Sequence, residues 1–250
     1  MKSDSNNYIL IFVTILTVVV AVALGGLREI TKTKSAQNED IFNKRAILTS
    51  MKSKLGEGVQ VNKLSDEEVL ELFSPENMDQ LVLDMEGNVV EGKKAEEIDM
   101  AVERKKPEPQ RLLPLYIYKG GEEPLYILSV RGNGLWDEIW GNIALESDVS
   151  TVAGAAFDHK GETPGLGAEI KDNPRFANNF EGSKIYEGDV LRSIVVRKGG
   201  AQDPNYEVDG ISGATVTADG VTEMLQRGIR YYEPYLNQLR NQQTSMLLEQ

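Results

Sequence analysis

From Tyr8 to Leu27 the chain runs for 20 residues without a charged side chain, and this stretch constrains the architecture more than any other. Coiled as an α-helix at about 1.5 Å per residue, it reaches about 30 Å, the hydrocarbon thickness of a bilayer. It reads as a single transmembrane helix, with residues 1–27 forming an N-terminal tail and anchor. The same residues also have the form of a cleaved secretory signal: Lys2 precedes an apolar run, and Ala21-Val22-Ala23 has the small-x-small pattern of a cleavage site. Lys2 stands before the run and Arg28, Lys32 and Lys34 after it, so counting basic residues puts the remainder of the chain on the cytoplasmic side.

Composition narrows the chemistry. A chain of 250 residues can build one good-sized domain beside such an anchor. The net charge of -12 leaves no basic stripe to neutralise phosphates, which argues against nucleic acid as a partner. Cysteine is absent, so this chain holds no disulfide, ligates no iron-sulfur cluster and has no thiolate nucleophile. His159 is the single histidine, which excludes a histidine-rich zinc or haem site. Any redox work therefore belongs to an organic cofactor.

Residues 28–78 are polar with scattered apolar positions, and read as a helical stalk. The pattern Ser65-Asp66-Glu67-Glu68 opens a short helix to Phe73, and Pro75 ends it. From residue 79 to 250 the pattern is that of an α+β domain. Leu81–Met85 and Val89–Glu91 flank Glu86-Gly87-Asn88 as a hairpin, and Leu115–Lys119 with Leu125–Val130 form another. Glu96–Gln110 is charged and contains Pro107 and Pro109, the signature of a surface connection. Thr151–Phe157 reads as a strand, Lys184–Lys198 as a strand pair and Asp203–Tyr206 as a turn.

The standard glycine-loop patterns give no support to a nucleotide reading. Gly132-x-Gly134 has Asp137 where a dinucleotide fingerprint needs its third glycine, and no G-x-x-x-x-G-K-[ST] occurs. The informative stretch is Asp209-Gly210-Ile211-Ser212-Gly213-Ala214-Thr215-Val216-Thr217. Val221, Met224, Leu225, Gly228, Ile229, Tyr232, Leu236 and Leu239 follow at helical spacing, so Thr217 falls at a helix N-terminus. Free first-turn N–H groups and the positive end of the helix dipole suit a phosphate there. The plainer reading is a Ser/Thr-capped helix with no ligand. Likewise Pro164-Gly165-Leu166-Gly167 is first a turn, Trp136 first a core residue, and His159 a solvated loop residue.

Ser212-Gly213-Ala214-Thr215-Val216-Thr217 resembles the S-G-A-T-x-T flavinylation motif, in which the last Thr carries FMN through a phosphoester bond. Glu162-Thr163-Pro164-Gly165-Leu166-Gly167-Ala168-Glu169-Ile170 and Gly134-Leu135-Trp136 are similar to the same covalent FMN-binding family. That family includes the C subunit of the Na+-translocating NADH:quinone oxidoreductases and the related G subunit of Rnf ferredoxin:NAD oxidoreductases. The resemblance implies an extracytoplasmic α+β FMN-binding domain, its cofactor part spanning 131–250, behind an uncleaved single-pass anchor in a bacterial inner membrane. It places that domain in the periplasm, against the basic-residue count. It implies FMN on Thr217, with Ser212, Gly213, Ala214, Thr215, Trp136, Glu162, Thr163, Leu166 and Gly167 as cofactor contacts. Thr163 is then a polar contact, Leu166 apolar cover, and Thr217 an acceptor loaded from FAD by a separate flavin transferase.

The activity so implied is electron relay inside a six-subunit membrane complex that oxidises NADH, reduces ubiquinone and exports sodium. The B, D and E subunits are the implied neighbours, with an intramembrane iron-sulfur centre as donor and a second covalent FMN on the B subunit as acceptor. No catalytic acid–base pair and no metal ligand are expected in this chain. The length and the segment Arg28–Gln110 suit the quinone-reductase type better than the Rnf type. A cofactor-free, membrane-anchored binding module, whose threonines only cap a helix, is the reading from a different class.

Overall fold

A computed structural model describes residues 3–56 and 58–248, divided into two units at Asn43 and Lys44. Helix α1 covers Ser3–Ser50. Every side chain from Asn6 to Leu27 is exposed, although this is the most apolar stretch of the chain. An uncovered apolar helix of that length matches the requirements of a lipid environment.

The second unit starts at Lys44, within the segment expected to be a stalk over 28–78. Ile47, Leu48 and Met51 are buried in it, as are Val61, Val69 and Phe73. Arg45 ties this stretch together by donating to the carbonyls of Val61 at 2.8 Å and Leu64 at 2.7 Å. The scattered apolar positions thus belong to a folded core from residue 44, and the polar residues between them face solvent. Helix α2 (Asp66–Leu72) opens on the capping box read in the sequence: Ser65 Oγ accepts from Glu68 N–H, and Glu68 Oε2 accepts from Ser65 N–H.

Five antiparallel strands form one sheet in sequence order: β1 (Met78–Leu83), β2 (Leu113–Tyr118), β3 (Leu125–Asn133), β4 (Glu138–Leu145) and β5 (Val152–His159). The expected hairpin after β1 is only a tight turn with one bridge, Leu83 to Val89. Asp84 closes that turn by accepting from the N–H groups of Glu86 and Asn88. The stretch 96–110 is likewise no open connection. It holds helix α3 (Met100–Glu103), capped by Asp99, between two single 3-10 turns, and Glu103 is buried where its carboxylate accepts from Leu112 N–H and Lys106. Strand β4 escaped the sequence reading because both faces of its second half are buried, so Gly141–Leu145 shows no alternation.

Beyond β5 lie α4 (Glu169–Asp172) and α5 (Pro174–Asn178), packed on the sheet through Phe157, Phe176 and Phe180, whose rings sit 5.0–5.4 Å apart. Strands β6 (Tyr186–Glu187) and β7 (Val190–Leu191) pair with each other. Strand β8 (Val195–Arg197) instead pairs in parallel with β9 (Glu207–Asp209), so the expected strand pair over 184–198 divides between two small sheets. Helix α6 (Thr215–Leu248) closes the domain. Val221, Met224, Leu225, Ile229, Tyr232 and Leu236 are all at most 1% exposed and share a core with Leu128 and Val130 of β3. The result is an α+β domain preceded by an apolar helix.

Candidate functional site

Three segments meet at the start of α6. They are the turn 134–137 between β3 and β4, the loop 160–168 after β5, and the helix's own first turn. Helix α6 begins at Thr215, so Thr215 and Thr217 lie in its first turn rather than in a preceding loop. Ser212 and Gly213 are exposed outside it, and Gly213 has a φ of 79°, a conformation open to glycine. Ala214 is buried, and its carbonyl accepts from Ala218 N–H at 2.9 Å.

Glu162 joins the three segments. Its carboxylate accepts from Trp136 N–H at 2.9 Å and, through Oε2, from the Thr217 hydroxyl at 2.7 Å. Both partners in the second bond are buried, Glu162 at 5% and Thr217 at 1% exposure. Its own N–H donates to His159 Nδ1 at 3.1 Å, so the lone histidine holds the loop through that ring nitrogen and is not merely solvated. Glycine is required around this carboxylate. A Cβ at Gly134 would stand 2.5 Å from Glu162 Oε1, and one at Gly167 would overlap Glu162 Oε2 and stand 2.6 Å from Thr217 Oγ1.

Around that buried pair the surface is apolar. Trp136 is 69% exposed rather than in the core, and its indole N–H donates to Thr163 Oγ1 at 3.0 Å. Leu135, Leu166 and Val216 are exposed too, and a Cβ on Gly213 would stand 2.9 Å from Leu166 Cδ2. These four make up half of the large apolar side chains exposed among the described residues of the second unit. A soluble surface has little reason to gather them at one corner. On the other side of the motif an open groove is lined by Lys198, Gly199, Gly200 and Asp209 with Gly210–Gly213 and Thr215.

The charges nearby are tied down. The Glu138 N–H, with the Lys160 ammonium, holds Asp137 below the usual carboxylate range, and Arg131 does the same to Glu138. Glu207 is lowered to about 2 by Arg197, helped by the N–H groups of Gln202 and Asp203. That network fixes the 198–206 loop beside the groove.

Trp136, Glu162, Thr163, Gly167 and Thr217 are thus brought into direct contact, with Leu166 against Gly213. Ser212 and Thr215 line the groove instead. Sequence reasoning did not single out Leu135 or Val216; each stands beside a chosen residue, and only exposure distinguishes it from core. No cluster of His, Cys, Asp and Glu with metal-holding geometry occurs among the described residues.

Comparison with known proteins gives a consistent result. A family model described as an FMN-binding domain matches residues 134–230. The C subunit of the Na(+)-translocating NADH-quinone reductase of Neisseria meningitidis serogroup B is 38% identical over 131 residues, covering 51% of this chain and 50% of its own. The corresponding C subunit of Vibrio anguillarum is 38% identical over 131 residues, covering 51% of each. The chain therefore spans about half the length of the curated relatives it matches. Among solved structures, the same reductase's C subunit from Parabacteroides distasonis is 34% identical with a TM-score of 0.71, covering 82% of this chain and 96% of that one. Shewanella oneidensis NqrC, 22% identical with a TM-score of 0.66 over 82% of this chain and 98% of its own, shares the fold.

Proposed function

Since the chain belongs to the family of Na(+)-translocating NADH-quinone reductase C subunits, we propose that it is an electron-transfer subunit of such a membrane complex, with FMN joined through its phosphate to Thr217. The observation that carries this reading is the Thr217 hydroxyl itself. It lies in the first turn of a 34-residue helix, at a corner rimmed by exposed Trp136, Leu135, Leu166 and Val216.

The residues present fit the group. Free N–H groups of the first turn and the positive end of the dipole favour a phosphate on Thr217 Oγ1. Ser212 and Thr215 offer hydroxyls along the groove, and Lys198 lines it with a cation. Trp136 and its apolar neighbours supply cover for a flat ring, with Thr163 as a polar contact. FMN, when bound, supplies one- and two-electron transfer at that ring, and a covalent tie keeps it from dissociating. The chain's own task is to hold the ring, shield part of it from water and leave an edge open to a neighbouring carrier. No proton transfer to a substrate is needed for that.

In the same reading the donor is an intramembrane iron-sulfur centre and the acceptor a second covalent FMN on the B subunit. The D and E subunits are further neighbours, and the complex passes electrons from NADH to quinone while exporting sodium. Residues 8–27 anchor the chain in the inner membrane, with the second unit in the periplasm. The basic residues after the apolar run count the other way, but they are few and Glu29 interrupts them.

Co-expression with a flavin transferase, followed by intact mass and ultraviolet fluorescence of the denatured band, tests the proposal. The wild-type chain should gain one FMN on the peptide containing Thr217, and Thr217→Ala should gain none. A wild-type band that stays dark and unmodified favours the cofactor-free binding module.

A further inference from the structure

The acceptor that Thr217 uses is unusual for a helical threonine. Thr222 and Thr244, on the same helix, donate to backbone carbonyls four residues earlier, at 3.1 and 2.9 Å. Thr217 donates instead to the carboxylate of Glu162, from 55 residues away in sequence. Glu162 is itself buried and forms no ion pair among the described residues, so its placement costs free energy that a neutral acceptor would not. Such an arrangement is better explained by chemistry than by stability.

Resting on the reading that Thr217 becomes esterified, we infer that Glu162 is the catalytic base of that esterification, supplied by the acceptor chain itself. The co-substrate is a flavin adenine dinucleotide held by a separate flavin transferase. Thr217 Oγ1 attacks the phosphorus on the riboflavin side of the pyrophosphate. The Oγ1–P bond forms, the anhydride P–O bond breaks, and its electron pair leaves on AMP. The hydroxyl proton passes to Glu162 Oε2, and nothing is oxidised or reduced. A carboxylate taking a hydroxyl proton during phosphoryl transfer has general precedent in kinases.

The covering loop determines access. Gly167 packs on both Glu162 and Thr217, and Thr217 is 1% exposed, so a transferase has to displace part of this cover to reach the hydroxyl. Glu162 is held independently of Gly167, by its N–H to His159 Nδ1 and by its carboxylate to Trp136 N–H, so displacing the glycine need not displace the base.

A base and a mere cover predict opposite signs. The full-length chain in detergent is incubated with purified transferase and FAD, and FMN addition is followed by intact mass. Glu162→Gln, which can accept a hydrogen bond but not the proton, should lower the maximal rate by roughly 10²-fold, with little change in the chain concentration giving half-maximal rate. Glu162→Asp, which keeps a carboxylate, should recover most of the rate. An unchanged or faster Gln variant would mean that Glu162 only covers the hydroxyl, with loss in Asp alone marking a need for side-chain length, and equal losses in Gln and Asp would mean that a carboxylate is not what the step requires; each overturns the inference. If Gln does not fold, Asp against Glu162→Ser supplies the same contrast. Failure of the wild type to gain FMN would overturn the covalent reading itself, a result separable from wild-type loading that Glu162→Gln does not slow.

Discussion

Tyr232 and Thr217 each bury a hydroxyl on α6, fifteen residues or about 22 Å apart along the helix, and they satisfy it in different ways. The Tyr232 oxygen lies 2.8 Å from the Pro114 carbonyl and 3.0 Å from that of Ser129, both in the sheet it packs against. Burial pushes its phenol far above the usual range, so it stays a neutral donor. Thr217 faces a buried carboxylate instead. Backbone carbonyls hold a hydroxyl still, whereas a carboxylate can also take its proton. One end of α6 thus buries its hydroxyl against the sheet backbone, and the other against a carboxylate that the proposal above makes its base.

The contrast can be broken most severely at the packing end. Tyr232→Ala should cost about 3–5 kcal/mol of unfolding free energy, since a large ring fully inside the core is removed; chemical denaturation of the second unit measures it. At the reactive end, Gly167→Ala forces a methyl between Glu162 and Thr217 and should cost about 1–3 kcal/mol. It should also slow FMN addition far more than Tyr232→Phe does, as read by intact mass. Tyr232→Phe removes only the hydroxyl and should cost about 1 kcal/mol while leaving FMN addition unchanged. Equal loading defects in Gly167→Ala and Tyr232→Phe would erase the distinction between the two ends.

The smallest effect is in pH. Glu207 is held at about 2 against an ordinary value of 4.5, so its native contacts with Arg197 and the 202–203 backbone stabilise the fold above pH 4.5. That contribution should disappear as pH falls from 4.5 toward 2. The difference in thermal midpoint between wild type and Glu207→Gln should therefore be present at neutral pH and shrink across that window. A difference that stays constant, or grows in acid, would contradict the assignment.

Periodic features were legible without the structure. The spacing of Val221, Met224, Leu225, Ile229, Tyr232 and Leu236 gives both the helix and its buried face, and Ser65 with Glu68 gives a cap, because each depends on neighbours within a few residues. Strand β4 was not legible, since alternation vanishes when both faces are covered. Nor was the role of His159, whose partner is a backbone N–H that has no sequence signature. Glu103 read as one more surface charge in a charged stretch, and only packing shows that it is buried.

The sequence by itself determined an apolar helix long enough to cross a membrane, a terminal amphipathic helix opened by small residues and hydroxyls, and a chain without thiols or a histidine cluster. These follow from composition and local spacing. Only the tertiary structure decided that Trp136 lies in solvent, that the segment from Lys44 belongs to the folded unit, and that Glu162 reaches Thr217. The physical reason is separation: a hydrogen bond between residues 55 positions apart depends on how β5, its following loop and α6 pack, and no local pattern encodes that meeting.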